Sequence, residues 1–291
     1  MNRGSTPDEI RVGPGLDHRL VVGFDGSPSA RSTVEWAARE AAARAASLRV
    51  VRCCAVAPTV DDSGVSARNR QQIADAIGTI ERRHPELCVE GATVHVGPRD
   101  ALFDSDSSTD LLIVGGSSPG TVRCSLLGSV PLTGARRSSC PVIVVRGRPR
   151  PQLRRIVVGV DSSNAAAAAL DWAIAEAELH GSELLLVHAW RRSCAGTSRR
   201  HADLDRVDAQ CLVDLAIRHC EKRTSVPVSG ELIEGEAASV LTAASGHADL
   251  VAVGSRGHSG FKTMLFGSVA LFLAGHAWCP VAVIHPHVRS E

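Results

Sequence analysis

The chain has 291 residues, 44% of them hydrophobic and 22% charged, with a formal net charge of +1. That length suits two domains of ordinary size, and the balance is that of a soluble globular chain. A charge near zero excludes any general electrostatic pull toward nucleic acid or an anionic membrane. Met1 to His18 is polar, carries Gly, Pro and acidic residues, and reads as a disordered tail over 1–18. From there short β-branched runs alternate with Ala-rich stretches, which is the pattern of a parallel sheet with helices on both faces. Strands are predicted near 19–25, 48–55, 88–95, 110–115 and 141–146, making a first domain of residues 19–147. Arg146-Gly-Arg-Pro-Arg-Pro-Gln reads as a solvated connection kept extended by its prolines, with the linker at 148–154. A second set of strands near 155–161, 183–190, 226–233, 249–254 and 280–285 makes a second domain, 155–286. Polar segments Pro58 to Asn69 and Arg191 to Ala202 follow the second strand of each set and predict a mobile loop before the next helix. Val269 to Ile284 is strongly apolar but is broken by Gly275, His276 and Pro280. It predicts a buried helix and strand rather than a membrane span.

The two sets are copies of one unit. Leu20-Val-Val-Gly-Phe-Asp25 returns as Ile156-Val-Val-Gly-Val-Asp161, and Leu111-Leu-Ile-Val-Gly115 returns as Leu250-Val-Ala-Val-Gly254. Cys140-Pro-Val-Ile-Val-Val145 is answered by Cys279-Pro-Val-Ala-Val-Ile284. The offset is 136 residues between Asp25 and Asp161 and 139 between Gly115 and Gly254, too long for a solenoid repeat. Thr33-Val-Glu-Trp36 matches Ala169-Leu-Asp-Trp172, which places the two tryptophans at one equivalent spot in each core.

In the second copy the fourth strand runs into Gly254-Ser-Arg-Gly257, and Gly267-Ser268-Val269 follows after nine residues, giving the pattern G-x2-G-x9-G-S. Glycines directly after a buried strand permit positive φ and close backbone approach, so that successive N–H groups turn toward an anion. Gly267 and Ser268 open a helix whose free N–H groups also favour negative charge. These are the parts of a phosphate cradle. Asp161 ends the first strand of the same copy, at the carboxyl edge where open α/β sheets bind ligands. A carboxylate there suits ribose hydroxyls or an adenine amino group; it equally suits capping of the next helix.

These residues resemble the nucleotide-binding subclass of the universal stress protein family in tandem form, from about Arg19 to Val145 and about Arg155 to Ile284. The resemblance implies, for each domain, a Rossmann-like five-stranded parallel sheet of order 3-2-1-4-5, of the adenine nucleotide alpha hydrolase type. It implies ATP as ligand, with Mg²⁺ accompanying the nucleotide, although the sequence has no dedicated carboxylate cage for the ion. By position, Asp161 would meet the adenosine moiety with Gly159 close beneath, and backbone near Ala189 would meet the adenine. Gly254, Ser255, Arg256, Gly257, His258, Ser259 and Gly260, with Gly267, Ser268 and Val269, would hold the phosphates. The function so implied is a non-catalytic, ATP-dependent regulator of the stress response, acting as a cytoplasmic homodimer.

In the first copy the matching positions are Gly23, Asp25, Gly115, Gly128, Ser129 and Val130. There Ser118, followed by Pro119, stands where the second loop glycine belongs. If that position needs a left-handed backbone, Ser118 costs about 1–2 kcal/mol, or about tenfold in affinity. Gly116 and Gly120 give this loop room to re-register, so weak binding is expected. Pro131 is tolerable in a first helical turn.

Other chemistry is poorly supported. Nine scattered cysteines without a C-x-x-C pair point to a reducing cytosol, and Cys53-Cys54 reads as two small buried hydrophobes. Cys211, His219 and Cys220 share a helix but lack a fourth zinc ligand. No H-E-x-x-H, G-x-S-x-G or Walker loop occurs. Phe261 to Phe266 is an apolar flap within the glycine loop. The alternatives to a regulator are a slow ATPase or ATP-dependent enzyme on the same crevice, and an interaction scaffold with vestigial sites. The enzyme reading lacks a lysine in the loop's core and an identifiable base.

Overall fold

Parallel strands covered on both sides read as unbroken apolar runs, and here those runs fold as the repeats predict. The computed structural model describes residues 8–11, 18–53, 63–94, 109–116, 140–146, 153–191, 199–257 and 267–286. The chain packs as two units, Met1–Val145 and Arg146–Glu291.

Unit 1 contains β1 (Asp8–Arg11), β2 (Arg19–Gly23), α1 (Pro28–Ala43), β3 (Ser47–Cys53), α2 (Ser63–Arg83), β4 (Val89–Val94), β5 (Thr109–Gly115) and β6 (Val142–Val145). Its strands run in the order β1-β4-β3-β2-β5-β6. Five are parallel; β1 adds an antiparallel edge, Asp8 opposite Thr93 and Arg11 opposite Glu90. Part of the expected disordered tail is therefore a strand, formed by main-chain pairing with an edge and not by any apolar pattern of its own.

Unit 2 contains β7 (Arg155–Gly159), α3 (Asn164–His180), β8 (Glu183–Trp190), α4 (Arg199–Glu221), β9 (Val228–Glu234), α5 (Ala237–Ala244), β10 (Leu250–Gly254), α6 (Ser268–His276) and β11 (Val281–Ile284). The order β9-β8-β7-β10-β11, all parallel, is the expected 3-2-1-4-5. Strand order reverses between β7 and β10, which opens a crevice beyond their carboxyl ends.

Glycines show which helix lies on which face. Ala252 pairs with Val158, Val158 with Leu186, and Leu186 with Gly230, so these residues share one face with Gly254. A Cβ at Gly254 would meet α3 at Ala165, and one at Gly230 would meet α4 at Val213 and Ile217. A Cβ at Gly159 points to the other face, toward Leu241 of α5. Helix α3 seats on the sheet through buried Ala165, Ala166, Ala169, Ala173 and Ala177, small side chains that bring its axis close. Trp36 and Trp172 occupy matching positions but are half-buried, outside the core that these alanines make. The expected loops after the second strand are shorter than predicted, because α2 begins at Ser63 and α4 at Arg199; residues 54–62 and 192–198 lie outside the described residues. Among the described residues no helix is long and apolar enough to cross a membrane.

Candidate functional site

At the carboxyl edge of unit 2, Asp161 leaves β7 and folds back on the chain. Its Oδ1 accepts from the backbone N–H of Ser163 at 2.8 Å, and Ser163 in turn caps α3, its Oγ accepting from Ala166 N at 3.1 Å. The Ser163 hydroxyl also donates to the Arg256 carbonyl at 3.3 Å, which ties the start of α3 to the glycine loop. One carboxylate oxygen thus serves the turn and the other faces the loop. A Cβ at Gly257 would lie 3.0 Å from Asp161 Oδ2, so a side chain there would crowd that oxygen and the carboxylate would have to give way.

The two ends of the glycine loop are pinned together. Ser255 N donates to Ile284 O at 2.7 Å, and Gly267 N donates to Ser255 O at 2.6 Å. Gly267 then caps α6 with φ −68 and ψ 166 and supplies no side chain, so the first N–H groups of that helix have no side-chain cap among the described residues. Ser268 is exposed and Val269 half-buried beside them. The Ser255 hydroxyl, 1% exposed, has no hydrogen-bond partner among the described residues. The main-chain donors at the start of α6 fit an anion of several oxygens.

The glycines work differently from the sequence expectation. Neither Gly254 nor Gly257 takes a positive φ; the positive-φ glycines among the described residues are Gly26, Gly181 and Gly235. Gly254 is required because a Cβ there would lie 2.6 Å from the Ala165 carbonyl carbon. Close approach, not handedness, is the constraint. Gly159 is likewise held by Leu241 and Val253, at 3.0 and 3.1 Å from a Cβ in its place, so its packing partners are side chains of the sheet's α5 face.

Ala189 contributes backbone. Residues of β8 alternate in direction: Glu183 N donates to Arg154 O and Val187 O accepts from Val160 N, whereas Leu184 N donates to Pro227 O and Trp190 O accepts from Gly235 N. Ala189 belongs to the first series and faces β7, yet β7 pairing ends at Gly159 opposite Val187. Its N–H and C=O therefore open on the crevice beside Asp161. His258, Ser259 and Gly260 of the predicted cradle, and the flap at 261–266, lie outside the described residues.

A model described as the universal stress protein family matches residues 18–146 and 152–285. The chain belongs to the universal stress protein family. It is similar to universal stress protein Rv2005c of Mycobacterium tuberculosis, 31% identical over 93% of this chain and 98% of that one. Universal stress protein Rv2623 of the same organism is 32% identical over 91% and 95%. In fold it is similar to a universal stress protein from Archaeoglobus fulgidus DSM 4304, with a TM-score of 0.67 at 18% identity over 93% of this chain and 97% of that one.

The first stress-protein unit is only partly described, since Ser118, Gly128, Ser129 and Val130 lie outside the described residues. Asp25 repeats the turn of Asp161, its Oδ1 accepting from Ser27 N at 2.9 Å. Gly23 ends β2 in the core, and Gly115 packs on α1, where a Cβ would lie 2.9 Å from Thr33 Oγ1. Arg52 departs from unit 2. Its guanidinium donates to Gln72 Oε1 at 2.7 Å and lies against Gly26, at the position where unit 2 has His188.

Two contributors to the stress-protein site escape sequence reasoning. Ser163 could have been found, because an Asp followed two residues later by Ser recurs as Asp25 and Ser27. His285 carries no such signal. Burial first, and then the Arg256 guanidinium, push its imidazole from 6.5 down to about 4. The unfolded chain takes up a proton near pH 6.5 and the folded chain does not until about pH 4. Stability is thus full above that window, falls through it and levels off below. Between pH 7 and 4.5 wild type is expected to lose roughly 2–3 kcal/mol more than His285→Gln. Urea unfolding at both pH values checks this, and equal losses would refute it. The zinc reading of Cys211, His219 and Cys220 finds no support. His219 Nε2 is engaged by Asp171 at 2.8 Å, and burial, with Asp171 adding to it, pushes the Cys220 thiol up to about 11.

Proposed function

We propose that unit 2 binds ATP and that the protein is a non-catalytic regulator whose conformational stability follows nucleotide occupancy. The observation that carries this reading is the meeting at one carboxyl edge of three groups without partners among the described residues: the Oδ2 face of Asp161 beside Gly257, the main-chain edge of Ala189, and the start of α6. Adenine presents N1 as acceptor and its amino group as donor, which complements one residue's N–H and C=O. A ribose hydroxyl suits Asp161, and a triphosphate suits the pinned loop and helix N-terminus. Mg²⁺ would enter with the phosphates. The same reading has the protein working as a homodimer in the reducing cytosol.

Occupancy acts through linkage. ATP at about a hundred times its dissociation constant stabilises the folded unit by about 2.7 kcal/mol. Thermal unfolding of the full chain with millimolar ATP tests this, with Asp161→Asn as control because asparagine keeps the Oδ1 acceptor for Ser163 and removes the negative charge. Wild type is expected to shift upward and the variant much less. An unmoved wild-type midpoint, with no adenine nucleotide carried through purification, would refute ATP binding.

A further inference from the structure

We propose that His188 is a positioning residue for the base: by capping the Val160 carbonyl it keeps the main-chain edge of Ala189 open for adenine. The proposal rests on the nucleotide reading of unit 2 and adds to it the side chain that shapes the base subsite.

In a parallel ladder a residue whose N–H is bonded to one partner carbonyl has its own C=O taken by an N–H two residues further along that partner strand. Val160 N donates to Val187 O at 3.0 Å, so the next rung would be Ala189 N–H to Val160 O. That rung is replaced. His188 Nδ1 lies 2.7 Å from Val160 O, and a carbonyl only accepts, so Nδ1 carries the hydrogen and donates. The Val160 carbonyl is thereby satisfied without Ala189, and the β7–β8 register stops at Gly159 opposite Val187. Val160 also precedes Asp161, so the same bond steadies the peptide from which the carboxylate projects.

An unpaired strand-end N–H normally closes onto the nearest carbonyl, because an unmet main-chain donor costs more than a bond gained. Occupying that carbonyl with a side chain leaves donor and acceptor of Ala189 side by side at the crevice. Guanine presents donor and acceptor in the reverse order, so for a base held in one register by its sugar and phosphates the edge favours adenine. In unit 1 the matching residue, Arg52, is turned to Gln72 instead, while the β2–β3 register stops at the equivalent Gly23 opposite Val51; the two units differ here in the side chain and not in the end of the pairing.

Amide hydrogen exchange of Ala189, read by NMR on the full chain, tests the proposal directly. The Ala189 amide is expected to exchange freely in wild type and to slow by at least roughly tenfold in His188→Leu, where it closes onto Val160. In calorimetry His188→Leu is expected to weaken ATP by about tenfold, to leave inorganic tripolyphosphate unchanged, and to lose preference for ATP over GTP. His188→Gln, which keeps a donor, is expected to restore both readouts. Protection of Ala189 in wild type overturns the proposal, as does His188→Leu binding ATP like wild type. Should wild type bind no ATP, the nucleotide reading fails, while Ala189 exchange in wild type against His188→Leu still decides whether His188 holds the edge open.

Discussion

Gly267→Asp is expected to abolish ATP binding by unit 2 while making the empty protein slightly more stable. The backbone at Gly267, φ −68 and ψ 166, is open to any residue, and among the described residues a Cβ there would meet nothing closer than Ser255 O at 3.4 Å. Aspartate is a better N-cap than glycine by a few tenths of a kcal/mol, and its charge suits the helix start by about 0.3–1 kcal/mol. That carboxylate would occupy the N–H groups assigned to phosphate. Like charges in one subsite cost several kcal/mol, so affinity should fall at least about 100-fold. Chemical denaturation and calorimetry on one preparation separate the two effects. A variant that is both stabilised and fully competent for ATP would remove α6 from the site.

Gly254→Ala carries the largest expected cost in stability. Its Cβ would lie 2.6 Å from the carbonyl carbon of Ala165 and 2.8 Å from that residue's oxygen and Cβ. These are mostly main-chain atoms in the first turn of α3, so no side-chain rotation relieves them. Overpacking of this kind costs about 2–3 kcal/mol, or roughly 5–10 °C in midpoint for a unit of this size. The shift would also move Ser163, whose hydroxyl holds Arg256, so ATP affinity should drop as well. Gly181→Ala is the fitting comparison: its φ of 58 makes alanine unfavourable by about 1 kcal/mol, yet nothing lies within 4 Å of the added Cβ and the site is not involved. Thermal unfolding of the two variants checks the ranking. Equal small effects would mean that α3 is free to retreat from β10.

Much of this was legible from sequence because the duplication prints each strand twice and parallel strands leave plain apolar runs. Asp161, Gly254 and Gly267 stood out for the same reason. What glycine does at 254 and 257 was not legible, since composition cannot distinguish a left-handed turn from a close approach to Ala165 or Asp161. The strand Asp8–Arg11 has no hydrophobic alternation to announce it. Backbone near Ala189 was named by resemblance, but the role of His188 depends on β8 outrunning β7 by three residues, a mismatch of strand ends that only three-dimensional register reveals. Arg52 at the matching place in unit 1 conceals His188 further, because repetition is no guide where the copies diverge.

Calorimetric titration of ATP into the wild-type chain, with GTP titrated in parallel, addresses the central claim most directly. Saturable binding of ATP, with GTP weaker, is the expected result. Absence of any binding heat from ATP across concentrations up to the millimolar range would contradict it.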